Sequence, residues 1–136
     1  MKIIFLDIDG VLCLSTNGFN FDTECIDNLI ALAEKAEARV VLCSSWKEDT
    51  LEKSTRYLPG KLKALIKDQT PNLPGKKKGD EVQEYIQRVP ADSYVILDDE
   101  PDHYLLHQRE SHLVTTDRRT GLTAGKCKEA EWNLKC

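Results

Sequence analysis

Apolar residues fall in short unbroken runs, and the polar stretches between them carry further apolar residues at helical spacing. The first run, Ile3-Ile4-Phe5-Leu6, is continuous and too short for a buried helix, the pattern of a strand covered on both faces. Val40-Val41-Leu42-Cys43 and Tyr94-Val95-Ile96-Leu97 repeat it, and His112 to Thr115 reads as a fourth strand. Between the runs the spacing changes to three and four. Cys25, Ile26, Leu29, Ile30 and Ala33 share one face of a helix that Asp22 or Thr23 can cap and that runs to about Ala38. Val82, Tyr85, Ile86 and Val89 do the same for a helix opened by Lys78-Gly79-Asp80. A polar helix from about Lys47 to Tyr57 is broken by Pro59-Gly60, and a short piece bearing Leu62, Leu65 and Ile66 is broken by Pro71 and Pro74-Gly75. Helices are expected around Asp102 to Arg109 and Lys126 to Leu134, a loop over Cys13 to Phe21, and a turn from Asp117 to Gly121.

Strands alternating with helices predict an α/β fold, a three-layer Rossmann-like sandwich in which a doubly wound, mainly parallel sheet is covered on both faces. Right-handed crossovers put the carboxyl ends of all strands on one edge, where such sheets bind ligands. The 136 residues suffice for one domain, 1–136. A small basic insertion, 53–78, separates the second strand from the helix at Lys78.

Polar residues follow three of these strands at once. Asp7 and Asp9 close the first, Ser44 and Ser45 the second, and Asp98 and Asp99 the third, while Lys78 opens a helix that enters from the same rim. Crowded carboxylates repel unless a cation or a proton lies between them. Acids with no His or Cys among them form a hard oxygen site, suited to Mg²⁺ bridging to a phosphate. A serine hydroxyl and a lysine ammonium can hold phosphoryl oxygens, one carboxylate can act as nucleophile, and its neighbour can transfer a proton. His103 and His107 have i, i+4 spacing but no third ligand in pattern, so zinc is not expected.

These segments resemble the haloacid dehalogenase (HAD) superfamily of phosphatases. Asp7-Ile8-Asp9-Gly10-Val11-Leu12 matches its first motif, Val40 to Ser44 its second, Lys78-Gly79 its third and Val95 to Asp99 its fourth. The resemblance implies a HAD-like fold and a phosphohydrolase with an aspartyl-phosphate intermediate. Asp7 would be nucleophile, and Asp9 acid/base and, through its backbone carbonyl, a Mg²⁺ ligand. Ser44 and Lys78 would bind the phosphoryl group, with Ser45, Lys76 and Lys77 as alternates, and Asp98 and Asp99 would complete the metal site. A phosphotransferase or mutase would use the same intermediate. A non-catalytic phosphoacceptor of the receiver type places its lysine last, unlike this chain. Ser44-Ser45-Trp46-Lys47, Ile96-Leu97-Asp98-Asp99, and Thr116-Asp117 followed by Gly121-Leu122-Thr123 resemble a small HAD branch found as a module in RNA-repair proteins. That resemblance implies phosphorylated nucleic-acid ends or nucleotides as substrate, with Trp46, Lys47, Lys76 and Lys77 as candidate contacts. The intervals between motifs are too short for the separate cap domain many members carry, which predicts an open crevice.

Composition adds a charge asymmetry and a compartment. The net charge is -4, yet residues 53 to 78 sum to +7 and the remainder to -11, so a basic stretch is expected beside the crevice. Five cysteines with no C-x-x-C pair suit free thiols in a reducing compartment. Neither a secretory signal nor a membrane-spanning run is visible, which predicts a cytoplasmic protein with no membrane partner; no obligate protein partner is evident.

Overall fold

In the computed structural model, residues 1–135 are described, and they form a five-stranded parallel sheet with helices on both faces. β1 (Lys2–Leu6) is central, flanked by β4 (Ala38–Leu42) and β6 (Ser93–Asp98), with β5 (Ile66–Gln69) and β7 (Leu113–Thr115) at the edges. In register, Phe5 lies between Val41 and Ile96, and Leu6 between Leu42 and Leu97.

The continuous apolar runs are explained by what each strand face meets. Ile4, Leu6, Val40, Leu42, Val95 and Leu97 join one buried cluster with Leu29 and Leu32 of helix α1 (Thr23–Ala36), Leu62 of α3 (Gly60–Leu65) and Ala130 and Leu134 of α6 (Ala124–Lys135). The alternate residues Ile3, Phe5, Val41, Cys43 and Ile96 pack in a second cluster with Val82 and Tyr85 of α4 (Lys78–Arg88) and with Tyr104. With both faces covered, a polar residue inside these strands would lack partners, so polarity begins where the strands end.

Three segments differ from the sequence expectation. The segment read as a loop after the first strand contains a short antiparallel hairpin, β2 (Cys13–Leu14) with β3 (Asn20–Phe21). The basic stretch contributes to α2 (Leu51–Thr55) and supplies α3 and an edge strand, β5, so most of it is built into the sandwich and no separate cap is present among the described residues. Lys53 pairs with Asp49, Lys61 with Asp27, and Lys67 donates to the Ala64 carbonyl. Of its basic residues, Lys76, Lys77 and Lys78 border the crevice. The helix expected around Asp102 to Arg109 is split into a 3-10 turn, Pro101–His103, and α5 (Leu106–Ser111). Cys13, Cys25, Cys43 and Cys127 are free thiols; Cys136 lies outside the described residues. Among the described residues no helix is long and apolar enough to cross a membrane.

Candidate active site

The carboxyl ends of β1 and β6 bring Asp7 and Asp98 together. Asp7 continues the ladder through its N–H to the Leu97 carbonyl at 3.0 Å, and Asp98 is the last residue of β6. Lys78, the first residue of α4, reaches between them, with its Nζ 3.3 Å from Asp7 Oδ1 and 3.1 Å from Asp98 Oδ2. Burial alone would lower the ammonium's pKa, but the two carboxylates outweigh it and raise it, so Lys78 stays charged.

Asp98 is fully buried and heavily bonded. Its Oδ2 also accepts from the Tyr104 hydroxyl at 2.5 Å, and its Oδ1 accepts from the Glu100 N–H at 3.0 Å. Burial pushes its pKa up, yet Lys78 and these donors bring it net below the usual carboxylate range. Asp7 behaves oppositely. Burial and the neighbouring Asp98 charge raise it to about 7 despite Lys78. Burial and the contact with Asp98 likewise raise Asp99 to about 6.

One oxygen each of Asp7, Asp98 and Asp99 lie within 4.8 Å of one another. With all three ionised beside Lys78⁺ the group carries two net negative charges, which a divalent cation would balance. The donors are all carboxylate oxygens, which suits Mg²⁺ or a similarly hard ion. Gly10 holds this cluster closed. Its φ is +80°, and a Cβ there would stand 2.3 Å from Asp99 Oδ2, so no side chain fits without displacing that carboxylate. The Gly10 carbonyl is fixed by the buried hydroxyl of Thr116, which donates to it at 2.8 Å.

Asp9 stands apart from this cluster. Its carboxylate faces the same cavity of about 370 Å³ as Asp7, Lys78 and Asp99, but its Oδ2 accepts from the Trp46 indole Nε1 at 3.0 Å. The side chain of Asp9 is thus separate from the three metal-competent carboxylates and available for proton transfer.

Ser44 and Ser45 form the turn after β4. Ser44 is buried, and its Oγ accepts from the Trp46 N–H at 3.1 Å, which leaves the hydroxyl proton free to be donated. Ser45 is exposed and lines the Asp7 cavity directly. Both border an adjoining hollow together with Lys76, Lys77 and Lys78. Of the three lysines, only Lys78 reaches the carboxylates.

Lys47 is an expected substrate contact. Its side chain is 4% exposed, and its ammonium donates to Glu81 Oε1, Thr70 Oγ1 and the carbonyls of Thr70 and Pro71, at 2.8 to 3.3 Å. Those oxygens hold the ammonium and brace the loop after β5, while the residue still lines the hollow beside Ser44 and Ser45.

The cavity wall also contains Phe19, Glu100, His103 and Arg118, which strand-end reasoning did not find. Glu100 and His103 lie at the 3-10 turn after β6, and Phe19 and Arg118 lie on two loops that are bonded to each other. The Ser15 N–H donates to the Arg118 carbonyl at 2.9 Å and Thr16 Oγ1 to the Arg119 carbonyl at 3.2 Å, which ties the hairpin loop to the loop after β7. His103 Nε2 pairs with the Glu100 carboxylate.

A family model described as the HAD domain in Swiss Army Knife RNA repair proteins matches residues 3–127, and the chain belongs to that family. No curated protein and no solved structure matches it.

Proposed function

Starting from membership of this HAD family, we propose that the domain is a Mg²⁺-dependent phosphomonoesterase that acts on phosphorylated nucleic-acid ends through an aspartyl-phosphate. The carrying observation is Lys78 held between Asp7 and Asp98, with Asp9 facing the same cavity.

Asp7 is the nucleophile: a carboxylate oxygen attacks phosphorus, the bond to the ester oxygen breaks, and that oxygen takes a proton from Asp9. In the second half Asp9 takes a proton from water as the water oxygen attacks phosphorus, which frees inorganic phosphate and restores the Asp7 carboxylate. Lys78 and the Ser44 or Ser45 hydroxyl face the phosphoryl oxygens and offset their growing charge. A Mg²⁺ held by Asp7, Asp98 and Asp99, and by the backbone carbonyl of Asp9, would supply the positive charge that keeps Asp7 ionised at neutral pH.

Three features favour a polynucleotide end over a small ester. Among the described residues no cap covers the cavity, Arg118 lines it and Lys76 and Lys77 line the adjoining hollow, and the family is described by its occurrence in RNA repair proteins. Free thiols in the core agree with a reducing, cytoplasmic setting.

The first test is hydrolysis of an aryl phosphate in Mg²⁺. Asp7→Asn, nearly isosteric, should fold as wild type by circular dichroism and lose at least about a thousandfold in kcat. Full activity in that variant would remove Asp7 from its role. Substrate class follows from comparing 3'-phosphate, 5'-phosphate and 2',3'-cyclic ends with mononucleotides and sugar phosphates at two salt concentrations. A polynucleotide preference that weakens with salt is expected, and equal rates would leave only the general phosphomonoesterase.

A further inference from the structure

The turn after β4 presents one polar atom to the reaction groups that the mechanism above leaves unused, the indole Nε1–H of Trp46. It donates to Asp9 Oδ2 at 3.0 Å. An indole N–H can only donate, so Oδ2 is its acceptor and is held towards the indole. Oδ1 is left as the oxygen turned to face a reacting group.

The ring is held from two further sides. Its own backbone N–H is fixed to Ser44 Oγ at 3.1 Å, and its edge meets Phe21, with centroids 5.7 Å apart and planes at 74°. Phe21 is paired in the β2–β3 hairpin with Cys13, the residue that also bridges Asp9. Trp46 is therefore braced between the loop that carries Asp9 and the loop that carries Ser44. It remains 37% exposed, too open for a residue serving only the core.

We infer that Trp46 is a positioning residue that fixes the rotation of the Asp9 carboxyl group and aims its protonated oxygen at the departing ester oxygen. This rests on the phosphomonoesterase reading above. In the assisted step the Asp7 oxygen forms its bond to phosphorus, the electron pair of the breaking P–O bond goes to the ester oxygen, and that oxygen takes the Asp9 proton to leave as an alcohol. Without the indole bond the carboxyl group turns freely and spends less time aligned. The loss matters in proportion to the leaving group's need for the proton. A dinitrophenolate departs unprotonated, whereas an alkoxide does not.

Trp46→Phe keeps an aromatic ring against Phe21 and removes the donor. On an alkyl phosphate its kcat/KM should fall about tenfold or more, while on 2,4-dinitrophenyl phosphate it should stay within about twofold of wild type. Equal losses on both substrates would mean Trp46 is only a wall, and no loss on the alkyl ester would likewise overturn the proposal. A second readout needs no turnover. The Trp46 indole signal in a ¹H–¹⁵N spectrum, assigned by its disappearance in Trp46→Phe, should shift and exchange faster with solvent in Asp9→Ala. An unmoved signal would refute the contact. A wild-type protein inactive on both esters would instead defeat the phosphomonoesterase reading and this proposal with it, an outcome distinct from an active wild type whose Trp46→Phe variant loses equally on both.

Discussion

Tyr104 illustrates how single atoms set the chemistry at this site. Its hydroxyl, buried among apolar side chains, donates to Asp98 and lies 3.7 Å from Cys43 Sγ. Burial beside these groups raises its pKa far above the ordinary phenol value, so it stays a neutral donor throughout the working range. It therefore orients one metal-competent carboxylate without adding charge. Groups of this kind tune ligands as strongly as the ligands' own geometry does. Tyr104→Phe should weaken Mg²⁺ binding about 10- to 100-fold, measured by calorimetry without substrate. Unchanged affinity would show that Lys78 and the Glu100 N–H suffice to hold Asp98. Nothing in the sequence singled out Tyr104. It lies outside every motif, and its approach to Asp98 depends on the 3-10 turn after β6. Asp7, Asp9, Lys78, Asp98 and Asp99 were legible for the opposite reason: strand ends and a helix start fix their positions, and the sheet topology brings those points together.

At the level of elements, the strands that carry the site were readable because burial on both faces forces unbroken apolar runs. β5 was not readable. It is an edge strand reading Ile66-Lys67-Asp68-Gln69, and charges there blunt an open edge while erasing the apolar signal. The β2–β3 hairpin was missed because two residues per strand carry no period. The buried partners of Lys47 were not readable because they come from β5's exit loop and from α4, which no local pattern relates to it. Its pairing with Glu81, whose other oxygen accepts from the Leu73 N–H at 2.9 Å, joins three segments by one buried charge pair. Removing one partner should leave an uncompensated charge. Lys47→Met or Glu81→Gln should each lower stability by about 3–5 kcal/mol in urea unfolding. Replacing both with apolar residues should cost clearly less than the sum of the single changes. Additive losses would show that the two side chains stabilise the fold independently.

For the molecule as a whole, the clustered acids tie stability to pH. Asp7 and Asp99, raised by burial and by Asp98 to about 7 and about 6, hold protons in the folded protein that the unfolded chain releases near the ordinary carboxylate value of 3.8. Their contribution is thus fully present below that value and is lost as pH rises through 6 to 7. In chelator the melting temperature should fall between pH 5 and pH 8. Added Mg²⁺ should raise it more at pH 8 than at pH 5, because at the lower pH the ion must displace protons. A melting temperature that is flat over this range, or a larger Mg²⁺ effect at pH 5, would contradict the arrangement of charges described here.

Asp7, the proposed nucleophile, is anchored to the end of the central strand, whereas Phe19 and Arg118 hang from loops around it. The molecule thereby separates what it does from what it does it to. On the proposed phosphomonoesterase reading, sequence drift in these overhanging loops redirects the domain to a different phosphate ester while the carboxylates and Lys78 beneath stay in place, an economical route to a wider clientele.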